Sequence, residues 1–274
     1  MKQYLGLLED VLVNGKHKSD PQGVGSRAVF CREMRFDLST GFLPIITTKK
    51  VNFKFVLGEL LWFLRGDDNW DFLHEHGIPI WDPWGKAEVA DKYGLAEGKL
   101  GRIYGPQWIH WKTRGGGEIN QIERLVQGLK DNPDWRRHKV VAWNPEDVDS
   151  VSVAPCHGDF KCFVADGVLS LNLWQRSADV FIGIPYNITS YSLLLLMLAQ
   201  VTGLRPGEFV HYMVDAHIYD NHVEQVRRQL TREPRPQPRI HIHPEVKDIF
   251  EFTFSDFILE GYDPHPFIGA EVGV

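Results

Sequence analysis

The stretch FKCFVADGVLSLNLW, residues 160–174, indicates the fold class most clearly. Its two apolar runs, Phe160 to Val164 and Val168 to Trp174, flank Asp166-Gly167, a dipeptide that strongly predicts a β-hairpin turn. Residues 188–201 are apolar on nearly all sides, so this segment predicts a buried central helix. A hairpin followed by a buried helix indicates a chain that mixes strands with helices.

Patterns on both sides of the hairpin extend this mixture. Apolar spacing predicts helices over residues 4–12, 55–64, 119–129 and from 217 onward, and strands over 28–36 and 209–214. The proline-rich segment 233–238 predicts a connector, and residues 267–274 predict a small mobile tail. Because no linker separates two halves, we predict one α+β domain over residues 1–274.

Composition and charge exclude several classes of protein. The 274 residues are 43% hydrophobic and 24% charged, which is typical of a globular chain and argues against disorder. A net charge of −6 argues against a broad nucleic-acid surface, although it allows a local cationic pocket. The start lacks the apolar core of a signal peptide, and the longest apolar stretch, 193–199, is far shorter than the roughly 20 residues that span a bilayer. We therefore expect a soluble, cytoplasmic protein with no membrane partner and no need of nucleic acid.

The three cysteines, Cys31, Cys156 and Cys162, are too few for a disulfide framework. Cys31 and Cys162 lie in strand patterns, so we interpret them as structural. Cys156 follows a proline and precedes a histidine; it is either a buried structural cysteine, the commoner role, or a nucleophile whose thiolate is favoured by nearby positive charge. No CxxC motif occurs and the twelve histidines show no ligand spacing, so we predict no metal site.

Three further patterns each allow a functional and a structural interpretation. Arg136-Arg137 and Gln175-Arg176-Ser177 suit a phosphate, because guanidinium groups donate several charge-assisted hydrogen bonds, but an arginine pair is also common on a solvated surface. Glu59, the single acid in an apolar helix, is either paired in the core or kept in a pocket for proton transfer. The polar side chains of Asp215 to Tyr219 suit a sugar hydroxyl or a helix cap.

Together these segments resemble one family. The motifs follow one order: Thr47-Thr48-Lys49-Lys50, Glu59 to Leu64, Ile80-Trp81-Asp82, Tyr104 to Trp108, Pro155-Cys156-His157, Gln175-Arg176-Ser177, Pro185-Tyr186-Asn187, Asp215 to Tyr219, Arg232 to Pro236 and Tyr262 to Pro266. Over essentially its whole length the chain resembles the folate-dependent, non-flavin thymidylate synthase family. This resemblance reverses the structural interpretation of Cys156.

The resemblance implies methylation of dUMP at C5, with 5,10-methylenetetrahydrofolate as carbon donor and reductant and with no metal. Cys156 would be the thiolate that adds to C6 and so makes C5 nucleophilic. Arg176, with Gln175 and Ser177 beside it, would contact the substrate, and its charge would favour the thiolate. Arg136 and Arg137 would be donated across a homodimer interface to the phosphate in the partner's site.

The remaining roles concern the base, the sugar and the folate. Asn187 would read uracil, because an amide can donate to O4 and accept from N3–H, whereas cytosine-specific relatives use aspartate there. By resemblance, His217 and Tyr219 would bind the 3′-hydroxyl, and Glu59, Tyr104 and His157 would handle water and protons. Asp179 would contact the pterin of the reduced folate, and Trp81 and Trp84 would form the aromatic wall beside it. Lys49 would contact the glutamate tail of the folate, and Tyr262 would add a further folate contact. The segment that ends at Val274 would close the site.

The implied fold is a three-layer α+β domain around a large twisted mixed sheet, and two copies would pack sheet against sheet. Several residues depart from the family pattern. Pro21 stands where an arginine usually grips the phosphate, for which Arg27 or another group would have to substitute. The other departures are Asn52, Gly158-Asp159, Lys161, Met213-Val214 and Ile268-Gly269-Ala270.

These departures leave two enzyme activities open. One is synthesis of dTMP with dihydrofolate as the second product. The other is a hydroxymethylase, in which water adds instead of hydride and gives 5-hydroxymethyl-dUMP with tetrahydrofolate. A non-catalytic nucleotide-binding homologue is the third alternative. The joint presence of Cys156, Arg176, Asn187, His217 and Tyr219 argues against it.

Overall fold

The computed structural model of the chain describes residues 1–19 and 23–271. The helices are α1 (Lys2–Asn14), α2 (Phe53–Arg65), α3 (Asp71–Glu75), α4 (Asp82–Gly85), α5 (Ala87–Ala90), α6 (Tyr104–Ile109), α7 (Gln121–Asp131), α8 (Gly183–Thr202) and α9 (Val223–Leu230). The strands are β1 (Lys16–Lys18), β2 (Ser26–Asp37), β3 (Trp111–Lys112), β4 (Glu118–Ile119), β5 (Lys139–Val140), β6 (Asp159–Ala165), β7 (Val168–Asp179), β8 (Arg205–Tyr219), β9 (Arg239–Ile242) and β10 (Phe257–Glu260).

A six-stranded mixed sheet organises these elements. Its strand order is β1-β2-β8-β7-β6-β5, in which β7 and β8 run parallel and every other neighbouring pair is antiparallel. A parallel pair needs a long crossover, and α8 supplies it by packing on both β7 and β8. The prediction of an α+β chain around a large mixed sheet is therefore confirmed.

The β6–β7 hairpin has the geometry that its turn residues predict. Ala165 pairs with Val168, and the two residues between them, Asp166 and Gly167, have positive φ angles of 51° and 71°. Left-handed backbone at both central positions matches the right-handed twist of the flanking strands, and aspartate followed by glycine tolerates it. The hairpin leads β7 directly towards α8.

Helix α8 is the centre of the core. By length and composition alone it could cross a membrane, but 83% of its apolar window is buried inside the protein, as in a core helix. It ends at Gly203, whose φ of 73° places this residue in the left-handed conformation typical of helix ends. One cluster of buried apolar side chains extends from Tyr4 to Ile268. The division of the chain into a single domain, 1–274, stays a prediction.

Three predicted boundaries are wrong. The expected short strand over 209–214 is a 15-residue strand, β8, because it pairs with β2 on one side and β7 on the other up to Tyr219. His217 therefore lies in a strand, and the helix that follows begins at Val223. Ile119 belongs to β4, which pairs with β3, and α7 begins at Gln121 after Asn120 caps it. Pairing partners that are distant in sequence explain the first two errors.

The two faces of the sheet differ in burial. Helices cover the face that carries Phe160 and Leu173, both of which are buried. The opposite face carries Phe163 and Trp174, whose exposed fractions are 66% and 44%. Exposed aromatic side chains on one face of a sheet can mark an interaction surface, so they bear on the predicted sheet-to-sheet dimer.

Candidate active site

Cys156 lies in the irregular segment that precedes β6, and Arg176 of β7 fixes this segment. The Arg176 guanidinium donates to the carbonyl oxygens of Pro155 at 2.9 Å and Ala154 at 2.8 Å. The same guanidinium lies 3.6 Å from the Cys156 Sγ, and the Arg176 backbone N–H donates to the Cys156 carbonyl at 2.9 Å. Arg176 therefore positions the Cys156 backbone and places a positive charge beside its sulfur.

The charge of Arg176 distinguishes Cys156 from Cys162. Burial raises the pKa of the Cys156 thiol, while Arg176 opposes this rise and Ser177 adds a hydrogen bond that also lowers the pKa. Burial alone raises the pKa of Cys162 to about 12. Cys31 is half-buried in β2 and has a left-handed φ of 55°. Of the three thiols, Cys156 is the one with a cation in contact.

Tyr104 and His157 pack beside the cysteine. The Tyr104 hydroxyl accepts a hydrogen bond from the Cys156 N–H at 3.0 Å, and its ring stacks on His157 at 4.4 Å between centroids. Burial lowers the pKa of His157 to about 3, so its ring is neutral. The structure brings Cys156, Tyr104 and His157 into contact.

Five buried or half-buried side chains form a hydrogen-bonded run that includes His157, the residue after the cysteine. We call it the polar chain: His211, Gln175, Asn187, His157 and Tyr191. The Gln175 Nε2 donates to the Asn187 Oδ1 at 3.2 Å, and the Asn187 Nδ2 donates to the His157 Nε2 at 3.2 Å. The His157 Nδ1 and the Tyr191 hydroxyl are 2.8 Å apart. Because Nε2 of the neutral His157 accepts, its Nδ1 carries the proton and donates to Tyr191.

Residue 158 has to be a glycine, because neither its backbone conformation nor its surroundings tolerate a side chain. Its φ is 104°, and a Cβ at this position would lie 2.6 Å from the Cβ of Ala142. The next residue, Asp159, accepts backbone hydrogen bonds from Ala142 at 2.7 Å and Trp143 at 3.1 Å. The Trp143 ring in turn faces the Arg176 guanidinium at 5.0 Å. Gly158 and Asp159 thus shape the segment that supports Arg176.

Glu59 of α2 is a buried carboxyl among aromatic rings. Its Oε1 accepts a hydrogen bond from the Trp81 Nε1 at 2.9 Å, and the Trp81 and Trp84 rings are 5.3 Å apart. Burial raises the pKa of Glu59 to about 7, although the Trp81 bond works in the opposite direction. A carboxyl with this pKa can both release and take up a proton near neutral pH.

Three other predicted folate contacts have partners within the chain. The Lys49 Nζ donates to the Phe181 carbonyl at 2.6 Å, and burial lowers the pKa of Lys49 to about 7. Asp179 accepts from the backbone N–H groups of Phe181 and Ile182 at 2.9 and 3.0 Å, just before α8. The Tyr262 hydroxyl donates to the Ile46 carbonyl at 2.9 Å.

Two predicted positions, Pro21 and Val274, lie outside the described residues. Residues 267–271 form neither helix nor strand, but they are docked rather than free. Ile268 is buried, and the Glu271 carbonyl lies 2.7 Å from the His222 Nε2.

His217 and Tyr219 lie together where β8 ends. Their rings are 5.1 Å apart, edge to face, and the His217 Nδ1 lies 3.2 Å from the Asp215 Oδ1. The His217 bond, with a further contact to Lys18, lowers the pKa of Asp215 to about 2. Asp215 thus orients the His217 ring rather than capping a helix.

Arg136 and Arg137 are not brought to this group. Both are exposed in the loop between α7 and β5, and Arg137 stacks on Trp135 at 4.2 Å. Within residues 1–19 and 23–271, neither guanidinium group forms a hydrogen bond or an ion pair. Arg27 lies 3.9 Å from Asp220 and is also partly exposed. Among the described residues, the arginines predicted to bind phosphate therefore share no partner.

Three neighbours of the group were missed by sequence reasoning. Tyr191 is a tyrosine within the apolar run of α8, and His211 occupies a core-facing position of β8 between Phe209 and Met213. A polar side chain in the middle of an apolar pattern could have drawn attention to both. Trp143 lies in an irregular segment, where no periodicity indicates what its ring contacts.

The chain matches a known protein family over nearly its whole length. The family model described as thymidylate synthase matches residues 2–274. In the part of the chain that the structure describes, no group of three or more His, Cys, Asp or Glu side chains is arranged to hold a metal ion.

Proposed function

Because this chain belongs to the thymidylate synthase family, we propose that it transfers a one-carbon unit from 5,10-methylenetetrahydrofolate to C5 of dUMP and releases dTMP and dihydrofolate. One observation carries the proposal: the Cys156 Sγ lies 3.6 Å from the Arg176 guanidinium, next to the polar chain that contains Asn187. A nucleophile, a cation for the phosphate and an amide for the base thus lie side by side.

The proposed reaction begins at the Cys156 sulfur. The thiolate forms a bond to C6 of the uracil, and the displaced electron pair gives an enolate across C5 and O4. C5 then attacks the methylene carbon of the folate, and loss of the C5 proton to a base, with cleavage of the remaining carbon–nitrogen bond, releases tetrahydrofolate and leaves an exocyclic methylene group on C5. Tetrahydrofolate donates a hydride to this methylene carbon, which becomes the methyl group as the S–C6 bond breaks, so that dTMP and dihydrofolate are formed. Arg176 favours the first step because its positive charge opposes the effect of burial on the pKa of Cys156.

Asn187 is the proposed reader of the base. In the polar chain it uses one N–H towards His157 and one lone pair of Oδ1 towards Gln175. An amide has two N–H groups and two lone pairs, so one of each is left. These match uracil, which offers an acceptor at O4 and a donor at N3.

The folate would lie against Trp81 and Trp84, with Glu59 at the inner end of this wall. The pKa of Glu59, about 7, suits a group that moves protons between water and O4. Asp179 is proposed to contact the pterin with the oxygen that its turn does not use. A direct Lys49 contact to the glutamate tail would require its Nζ to leave the Phe181 carbonyl.

We further propose that the active unit is a cytoplasmic homodimer. The exposed Phe163 and Trp174 supply an apolar surface for sheet-to-sheet packing, and Arg136 and Arg137 are exposed and without an ion-pair partner in the described residues. Donation of these two arginines to the partner's phosphate would use both features. His217 and Tyr219 would bind the 3′-hydroxyl in the chain that supplies Cys156.

The hydroxymethylase alternative gains no support from two of the departures that suggested it. Asp159 directs one carboxylate oxygen at the backbone of Ala142 and Trp143, and Lys161 is exposed on the same sheet face as Phe163. Neither belongs to the aromatic wall around Glu59, where extra water would have to enter. We therefore place dTMP synthesis first.

The deciding experiment measures nucleotide mass and folate oxidation state in the same incubation of purified protein with dUMP and methylenetetrahydrofolate. We expect dTMP and dihydrofolate in equal amounts. Hydroxymethyl-dUMP with tetrahydrofolate would replace the proposal by the hydroxymethylase. Absence of both products, in a protein that binds dUMP, would indicate a non-catalytic homologue. The Cys156→Ala variant is the control for background reaction.

A further inference from the structure

His211 is a buried titratable residue without a role in the proposed reaction. It lies on the core-facing side of β8 and is fully inaccessible, with an exposed fraction of 0%. Its Nε2 lies 2.7 Å from the Gln175 Oε1, and its Nδ1 has no partner in the described part of the chain. Burial lowers the pKa of His211 to about 3, so the ring is neutral and carries one proton.

The hydrogen bonds of the polar chain all run in one direction. The Gln175 Oε1 can only accept, so the proton of His211 is on Nε2. The Gln175 Nε2 donates to two oxygens, the Asn187 Oδ1 at 3.2 Å and the Ser177 carbonyl at 2.9 Å. This arrangement leaves the Asn187 Nδ2 on the side of His157.

Reversal of this direction would be unfavourable at two points. A flipped Gln175 would direct its Oε1 at the Ser177 carbonyl, so that two oxygens would face each other. His211 would also have to move its proton to Nδ1, which has no acceptor within the described residues. A buried N–H without a partner is rarer and more costly than a buried acceptor without one. His211 and the Ser177 carbonyl therefore both favour the observed direction.

The direction of the chain decides what Asn187 offers to a base. In the observed direction its free N–H and free lone pair match O4 and N3–H of uracil. With the amide reversed, the two exchange places and match the N3 lone pair and the amino group of cytosine. We propose that His211 is a positioning residue that fixes the orientation of the Asn187 amide and so favours uracil over cytosine nucleotides. This inference rests on the proposed function, which makes Asn187 the base reader.

The test compares the binding of dUMP and dCMP to the full-length protein by calorimetry. His211→Phe keeps an aromatic ring but removes the donor, and we expect the ratio of dCMP to dUMP dissociation constants to fall about tenfold. His211→Gln is the matched control, because its amide nitrogen can take the place of the Nε2 donor. We expect it to keep the ratio within about threefold of the wild-type value. A purely structural role would weaken both nucleotides equally and leave the ratio unchanged.

The outcomes separate this inference from the proposed function. An unchanged ratio in His211→Phe, or an equal loss in His211→Gln, overturns the role of His211. A wild-type protein that binds both nucleotides equally overturns that role and the base-reading role of Asn187 together. A preference for dUMP that depends on His211, in a protein that forms no product, supports the inference while the proposed reaction fails.

A measurement on the unaltered protein covers the case in which His211→Phe does not fold. Nitrogen-15 NMR of protein labelled at histidine reports which ring nitrogen carries the proton. We expect His211 as the Nε2–H tautomer, with a bare Nδ1, in the presence and absence of dUMP. A proton on Nδ1 would overturn the inference.

Discussion

The side chains proposed to bind the base have hydrogen-bond partners within a single chain, whereas most of those proposed to bind the phosphate do not. We call these two groups the base end and the phosphate end. At the base end, Gln175, Asn187 and His157 are joined to one another by hydrogen bonds before any ligand is present. At the phosphate end, Arg136 and Arg137 are exposed, and the Arg176 guanidinium donates hydrogen bonds to the carbonyls of Ala154 and Pro155.

This difference follows from the cost of burial. A buried amide or imidazole without partners destabilises the fold by about 1–3 kcal/mol, so the base end has to be complete when the chain folds. Exposed guanidinium groups keep their water and incur no such penalty. The base end is therefore preorganised, whereas the phosphate end is assembled by the ligand and, in our proposal, by a second subunit. We expect substitutions at the two ends to lower activity to different degrees.

Cys156 is the proposed nucleophile and lies between the base end and the phosphate end, so its substitution should have the largest effect on activity. We expect Cys156→Ala to lower kcat by at least about 1,000-fold, because no other thiol lies beside Arg176. Cys162→Ala is the matched control, which we expect to retain turnover and lose only some stability. Circular dichroism and thermal melting check that Cys156→Ala is folded. Measurable turnover by a folded Cys156→Ala would contradict the covalent mechanism.

The base end is tested by Asn187→Asp. A protonated carboxyl can donate to N3 of cytosine and accept from its amino group, whereas an ionised carboxylate has no donor for O4 of uracil. We expect the ratio of kcat/KM for dUMP to that for dCMP to fall by about 100-fold or more, measured with tritium release from C5. An unchanged ratio would remove Asn187 as the base reader.

The phosphate end is tested by subunit mixing. We expect Arg136→Ala combined with Arg137→Ala to raise KM for dUMP by about 10–100-fold, since charge-assisted hydrogen bonds to the phosphate are lost. Heterodimers of this variant with Cys156→Ala would contain one site with both the thiol and the arginines. Activity should therefore return to about a quarter of the wild-type level on mixing. If mixing restores nothing, the arginines are not donated across an interface.

One further effect concerns stability rather than rate, so it stands apart from the ranking of changes in activity. The pKa of Glu59 is raised from 4.5 to about 7, so the folded protein binds a proton that the unfolded chain has released. The unfolding free energy should therefore fall as the pH rises from about 4.5 through about 7, by about 3 kcal/mol from this residue. Glu59→Gln should lack this loss, as measured by urea unfolding at both ends of the range. Parallel curves for variant and wild type would contradict the burial of the carboxyl.

Sequence patterns predicted the parts of the fold that depend on local contacts. The Asp166-Gly167 turn and the apolar α8 were predictable because a tight turn and a fully buried helix each impose a local composition. The full length of β8 was not, because its last residues are strand only through pairing with Ser26 and Asp179. A pattern of residues along the chain does not contain the position of such partners.

The candidate site divides in the same way. Residue patterns marked Cys162 as structural but left two roles open for Cys156; the contact of its sulfur with Arg176, 20 residues away, is what distinguishes Cys156 from Cys162. His211 escaped notice because its partner Gln175 is on another strand. Residue types and motif order indicated the chemistry, whereas the hydrogen bonds between distant residues could be identified only from the three-dimensional structure.

The pairing of β2 with β8 has a consequence for synthesis of the protein. Asp37 at the end of β2 faces Glu208, which the ribosome adds much later. At about 5–20 residues per second this interval lasts roughly 10–35 seconds. During that time the long edge of β2 that β8 will cover has no partner strand, and Ala28, Val29 and Met34, which are buried in the folded protein, stay uncovered. We therefore expect chaperone contact early in translation, and a chain truncated before residue 205 would lack the strand at the centre of its sheet.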